Sequence, residues 1–162
     1  MNRRPSLRQK MSEKNKLSLS VQYPDARLME VISRAQVRRW VRAALFVAAE
    51  LNVRFVDDIE ARALNRDYRD KDYATNVLTF AYNEGNEDEV MQADIVLCTD
   101  VLQREAAEQS KSLVAHTAHL VVHGVLHAQG YDHENESEAS EMEDLEINIL
   151  AALGMPNPYA NT

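Results

Sequence analysis

Apolar and polar residues alternate along Leu17-Ser-Leu-Ser-Val21, the period of a half-buried strand, and Tyr23-Pro24-Asp25 then breaks the pattern. Ser33 stands as the N-cap of a helix expected to run to about Leu51, with Val37, Val41, Ala44, Leu45 and Ala48 forming its apolar stripe. Val53 to Val56 reads as a second strand, and Asp57 or Asp58 caps a short helix reaching Tyr68. Val77 to Phe80 and Asp94 to Leu97 are the next strands, separated by a polar loop around Asn83 to Asp88. Helices follow from about Thr99 to Gln109, Leu113 to Gln129 and Ser137 to Leu153. The order of strands and helices implies right-handed parallel crossovers, and the link from Phe80 to Ala93 allows an antiparallel edge pair. The expected fold class is therefore α+β: a single domain with a small mixed β-sheet of about four strands covered by about five helices.

Composition narrows the function more than the fold. At 162 residues and 45% hydrophobic, the chain can fill one ordinary core. Its 18 basic and 26 acidic side chains give a formal net charge of -8, so any nucleic-acid site must be a local patch. Six of the basic residues (Arg3, Arg4, Arg8, Lys10, Lys14 and Lys16) fall in the first sixteen positions against Glu13 alone. With Pro5 and no periodicity, residues 1–16 read as a flexible basic extension ahead of a domain of residues 17–162; a solvated tail and a weak RNA tether are its two readings. The one cysteine, Cys98, excludes an internal disulfide and suits a reducing cytoplasm. The longest apolar run, Ala43 to Ala49, is too short for a bilayer, and the basic N-terminus is followed by no apolar export core. The expectation is a cytoplasmic protein without a membrane partner.

All five histidines (His116, His119, His123, His127 and His133) lie within eighteen residues, four of them on one face of the helix expected from Leu113. From His119 to His127 the helix rises about 12 Å, so one ion can take at most an adjacent i, i+4 pair. In His123-Gly-Val-Leu-His127-Ala-Gln-Gly130-Tyr-Asp-His133, a left-handed Gly130 would end the helix and return His133 toward that pair. Three neutral nitrogens around an open fourth position are the catalytic form of zinc, in which water is acidified to a pKa near 7. The same spacing occurs in the metzincin proteases, but they carry a glutamate base where this chain has Gly124, so a peptidase mechanism lacks its base. Asp132, His119 or a neighbouring chain could fill the fourth position.

This segment, preceded by Ala118-His119-Leu-Val-Val122, resembles the signature of the YbeY family of bacterial endoribonucleases and rRNA maturation factors. The likeness extends to Leu64-Asn-Arg-Asp-Tyr-Arg-Asp-Lys-Asp-Tyr-Ala-Thr-Asn-Val-Leu-Thr-Phe80, to Ala93-Asp-Ile-Val-Leu-Cys98, and to Met142-Glu-Asp-Leu-Glu146 through Leu153-Gly154. Ala93 and Thr79 depart from that family's usual glycine and serine. The resemblance implies a zinc-dependent, single-strand-specific endoribonuclease of 16S rRNA 3′-end maturation and ribosome quality control. It places one zinc per chain on His123, His127 and His133 and a functional arginine at Arg69. It also implies as partners single-stranded RNA, notably pre-16S rRNA, and the small ribosomal subunit with its assembly proteins.

A guanidinium offers a planar fork to a phosphate gathering charge, whereas a plain surface ion pair with Asp67, Asp70 or Asp72 is the other reading of Arg69. Thr75-Asn76 opens a strand, and Asn76 can hold substrate or cap the turn. Arg34, Arg38 and Arg42, with Arg39 beside them, repeat along the first helix as an RNA groove or a solvated face. The eight carboxylates from Asp132 to Glu146 are expected to cap and solubilise the last helix, with Glu134 a possible base or support for the third histidine. Met142 is expected in the core. The competing function class is a non-catalytic ribosome assembly factor whose zinc is structural.

Overall fold

The computed structural model describes residues 16–86 and 88–160. Most of the basic extension read at residues 1–16 lies outside the described residues; Lys16, which is inside, already accepts a hydrogen bond at its carbonyl from Ala49 N–H at 2.9 Å. Four strands form one mixed sheet in the order β1-β2-β4-β3 (β1 Leu17–Gln22, β2 Ala49–Val56, β3 Val77–Asn83, β4 Met91–Cys98). The β1–β2 and β2–β4 pairs are parallel, and β3 returns antiparallel along β4 as the edge. Five α-helices complete the described residues: α1 Arg34–Ala44, α2 Asp58–Arg69, α3 Thr99–Glu108, α4 Leu113–Ala128 and α5 Glu136–Ala152. The expected fold class and element count are both found.

Period-two patterning decides what each face of the sheet meets. Met91, Ala93, Ile95 and Leu97 of β4 join Val53 and Phe55 of β2 in the main core, closed by Val37, Trp40 and Val41 of α1 and by the apolar residues of α4. On the opposite face Val96 and Cys98 pack with Val56, Leu78, Ala61 of α2 and Val101 of α3 in a smaller cluster. Helix α4 is buried around most of its girth, as a central helix must be. Its approach to the sheet is close: a Cβ built on Gly124 would stand 3.1 Å from Ile95 Cγ2 and 3.4 Å from Thr79 Oγ1.

Two expected boundaries move furthest. The first helix ends at Ala44 rather than near Leu51, and β2 begins at Ala49 rather than Val53. A residue distant in sequence terminates the helix: Gln129 donates from Nε2 to the Ala44 carbonyl at 2.8 Å and accepts at Oε1 from Phe46 N–H at 2.8 Å. Those bonds satisfy groups that another helical turn would have satisfied. The freed residues Ala49, Leu51 and Val53 alternate inward with Glu50 and Asn52 outward, so the stretch extends the strand. Ser33 is the N-cap as expected, in a reciprocal capping box with Gln36. A three-residue 3-10 turn, Ala26–Leu28, capped by Asp25, has no counterpart in the sequence reading.

Candidate metal centre and its surroundings

Helix α4 opens on Ser112, whose hydroxyl accepts from Ala115 N–H at 3.0 Å, and closes through Gly130 at φ 99°. Tyr131 N–H reaches the Leu126 carbonyl at 3.2 Å and Gly130 N–H reaches that of His127 at 3.0 Å, the paired bonds of a Schellman turn. The turn reverses the chain so that the Tyr131 carbonyl faces the ring it has just left: His127 Nδ1 lies 2.8 Å from it. A carbonyl can only accept, so Nδ1 carries the proton and Nε2 presents its lone pair. One turn earlier, His123 Nδ1 lies 2.6 Å from Oε1 of Glu146, which fixes the same tautomer by the same logic.

His133, delivered by the turn, completes a nearly equilateral triangle. Ring centroids are 6.1 Å apart for His123 and His127, 5.8 Å for His123 and His133, and 5.9 Å for His127 and His133. Imidazoles sharing one ion at about 2 Å would bring their centroids to roughly 5–5.5 Å, so the three rings stand somewhat wider apart than a shared ion requires. Among the described residues, the ligand atoms that all lie within 4.8 Å of one another are those of His127, Asp132 and His133, a group that leaves out His123. The His133 backbone N–H, 2.7 Å from Asp132 Oδ1, with the nearby rings, holds the Asp132 carboxyl below the usual carboxylate range. The donor set, nitrogens with oriented lone pairs beside an ionised carboxylate, suits a borderline divalent ion such as zinc.

Arg69 closes helix α2, which stops because Asp70 adopts the left-handed conformation at φ 56°. Its Nη2 donates to the Thr79 carbonyl at 2.9 Å. Thr79, whose carbonyl Arg69 binds, lines one cleft of about 210 Å³ with His127, Gly130 and Asp132 between β3 and the turn after α4. Of the alternative ion-pair partners for Arg69, Asp67 pairs with Arg66 and Asp72 with Arg62.

The family profile described as Endoribonuclease YbeY matches residues 9–154 of this sequence. A protein named Endoribonuclease YbeY from Janthinobacterium sp. (strain Marseille) is 67% identical over 93% of the chain and 99% of its own length. The chain belongs to the YbeY family. Another relative of that name, from Herminiimonas arsenicoxydans, is 63% identical over 91% of the chain and 97% of its own length. The fold is shared with the solution structure of TM1509 from Thermotoga maritima at 20% identity, with a TM-score of 0.52, covering 88% of this chain and 99% of that one.

Within this YbeY-family chain the remaining site residues fall away from the triangle. Asn76 accepts from Val77 N–H at Oδ1 (2.7 Å) and donates from Nδ2 to Glu105 Oε1 at 3.0 Å. Glu105 meets His116 Nε2 at 3.0 Å, so Asn76, Glu105 and His116 tie the start of β3 to α3 and α4. His116 is buried, which pulls its pKa down against the upward influence of Glu105. Arg34 lies over the Tyr23 ring at 5.1 Å and donates to the Val21 carbonyl, so this arginine of α1 is bound to the domain itself. Among the described residues, no helix is long and apolar enough to cross a membrane.

Glu146 corrects the reading of the acidic stretch. It is 0% exposed, and its carboxylate receives His123 Nδ1, His119 Nε2 at 2.9 Å and the Tyr159 hydroxyl. Burial pushes its carboxyl up, but those three donors outweigh burial and hold the pKa at about 2. The depressed value makes its stabilisation of the fold complete above about pH 4.5 and lost only as pH falls toward 2. The signal was present in the pattern: Met142, Glu146 and Leu150 stand at i, i+4 and i+8 on the apolar stripe of α5, and all three are buried. An acid on that stripe requires partners. Met142 is in the core as expected.

Proposed function

We propose that this chain is a zinc-dependent endoribonuclease of single-stranded RNA, with His123, His127 and His133 as metal ligands and Arg69 as the group that meets the scissile phosphate. Residues 17–162 form the catalytic domain. The observation that carries the reading is the triangle of three imidazoles, two of them held with Nε2 free. A bound zinc supplies Lewis acidity, which makes water a competent nucleophile near neutral pH. The chain's own part is positional. Arg69 spends one nitrogen on Thr79 and keeps the rest of its fork for phosphate oxygens, while the cleft between β3 and the Gly130 turn admits a splayed strand more readily than a duplex. The substrate is pre-16S rRNA near its 3′ end, on the small ribosomal subunit with its assembly proteins, in the cytoplasm.

The test uses labelled single-stranded and duplex RNA with purified full-length protein. Cleavage of the single strand should stop on chelation, return with zinc, and weaken steeply with salt. Cleavage that survives complete removal of metal would refute it. The group of His127, Asp132 and His133 favours a second reading, a non-catalytic assembly factor in which Asp132 closes a structural zinc site. That reading expects Asp132→Asn to release the ion, whereas the nuclease reading expects the ion to stay.

Arg69→Lys separates the phosphate role from a packing role. It should lower cleavage by about tenfold or more, because the ammonium cannot both hold Thr79 and present a planar fork. The melting temperature should move by only about a degree, since the side chain is exposed. A large fall in melting temperature with activity per folded molecule intact would assign Arg69 to structure instead.

A further inference from the structure

We infer that Glu146, seated by Tyr159 from the C-terminal segment, is a positioning residue that fixes the tautomer and aim of His123. For its link to metal binding the inference rests on the ligand set proposed above. The chain reverses after α5 at Gly154 (φ 78°), where Met155 N–H returns to the Leu150 carbonyl at 2.8 Å. The following residues run back along α4, tied by Lys111 Nζ to the Pro158 carbonyl at 2.7 Å. Tyr159 then stands edge-on to His119, with ring centroids 5.4 Å apart and planes at 81°, and its hydroxyl donates to Glu146 Oε2. The carboxylate is thus loaded asymmetrically. Oε2 takes two donors, Tyr159 and His119, and Oε1 takes one, His123. Three donors leave the buried carboxylate no freedom to turn, so the plane of the His123 ring is set from α5 and the C-terminal segment rather than from its own helix.

The asymmetry gives Glu146→Gln a specific signature. An amide oxygen settles where two donors wait, opposite His119 and Tyr159, which turns the amide NH₂ toward His123. Nδ1 of His123 must then accept, and the proton moves to Nε2, the nitrogen proposed to face the metal. Long-range ¹H–¹⁵N NMR of the metal-free full-length protein should show His123 protonated at Nδ1 in the wild type and at Nε2 in Glu146→Gln. Zinc affinity, measured by competition with a chromophoric chelator, should fall about 10–100-fold in that variant. Tyr159→Phe, which removes one donor and little volume, should keep the tautomer but weaken zinc binding several-fold. Unchanged zinc affinity in both variants, with His123 of Glu146→Gln still protonated at Nδ1, would overturn the inference. A lower melting temperature without either change would show a purely structural role and overturn it equally. If Glu146→Gln does not fold, Tyr159→Phe decides, and unaltered zinc affinity there refutes the inference. Should the wild type take up no zinc, the ligand assignment fails, and the tautomers of the metal-free proteins still judge Glu146.

Discussion

His127→Ala should empty the metal site and lower RNA cleavage by on the order of a thousandfold, the scale of losing a Lewis acid worth several kcal/mol. His127, like His133, belongs both to the triangle with His123 and to the group with Asp132. Whichever set holds the ion, this ring is in it. Elemental analysis of the purified variant should find zinc well below one per chain. Circular dichroism should remain native, because the ring is only half-buried and its one fixed bond is to a backbone carbonyl at the end of the helix. His133→Ala should behave the same way with either set, His123→Ala should do so if the triangle is the ligand set, and His119→Ala should leave an ion bound. Full zinc retention by His127→Ala would discard both sets together.

Gly124→Glu, which writes the metzincin base into the helix, should create no peptidase and should cost about 4 kcal/mol or more. The new Cβ would already press on Ile95 Cγ2 at 3.1 Å, and a carboxylate beyond it would be buried against the sheet without a partner. For a domain of this size that corresponds to a fall of about 8–16 °C in melting temperature. Gly124→Ala is the gentler comparison. Its clash of about 1–3 kcal/mol is offset in part by the roughly 1 kcal/mol that alanine gains over glycine inside a helix. A Gly124→Glu protein melting within a degree of wild type would contradict the close approach of α4 to β3 and β4. The absent base of the peptidases therefore has a packing cause in this fold: helix and sheet meet where that side chain would stand.

What the sequence conveyed well was whatever depends on neighbours a few positions apart. The histidine spacing, the glycine that ends α4 and the Ser33 cap are local, and each is found where the pattern puts it. What it conveyed poorly depends on contacts made after folding. The end of α1 is decided by Gln129, 85 positions beyond Ala44, and the helical period in Val41 to Ala48 carried no trace of it. Asn76 illustrates the same limit, because its amide is directed to Glu105 across the fold, a partner that no spacing rule associates with it. Glu146 was legible in principle. A run of charges reads as a solvated face, and its exposed acidic neighbours extend that reading to it, although its place on the Met142–Leu150 stripe sets it apart.

The two proposed ligands on α4 obtain their orientation from different kinds of atom, and that difference governs how each can be lost over evolutionary time. His123 depends on a carboxylate that one nucleotide change can convert to another side chain. His127 depends on the peptide carbonyl of Tyr131, which every amino acid at that position would supply. Drift can therefore disarm His123 from a distance by substituting Glu146. His127 can be disarmed only by rerouting the backbone, for which the vulnerable position is Gly130, since its φ of 99° suits almost no other residue. Selection on this site should accordingly act on one glycine and one buried acid, neither of which is itself a proposed ligand.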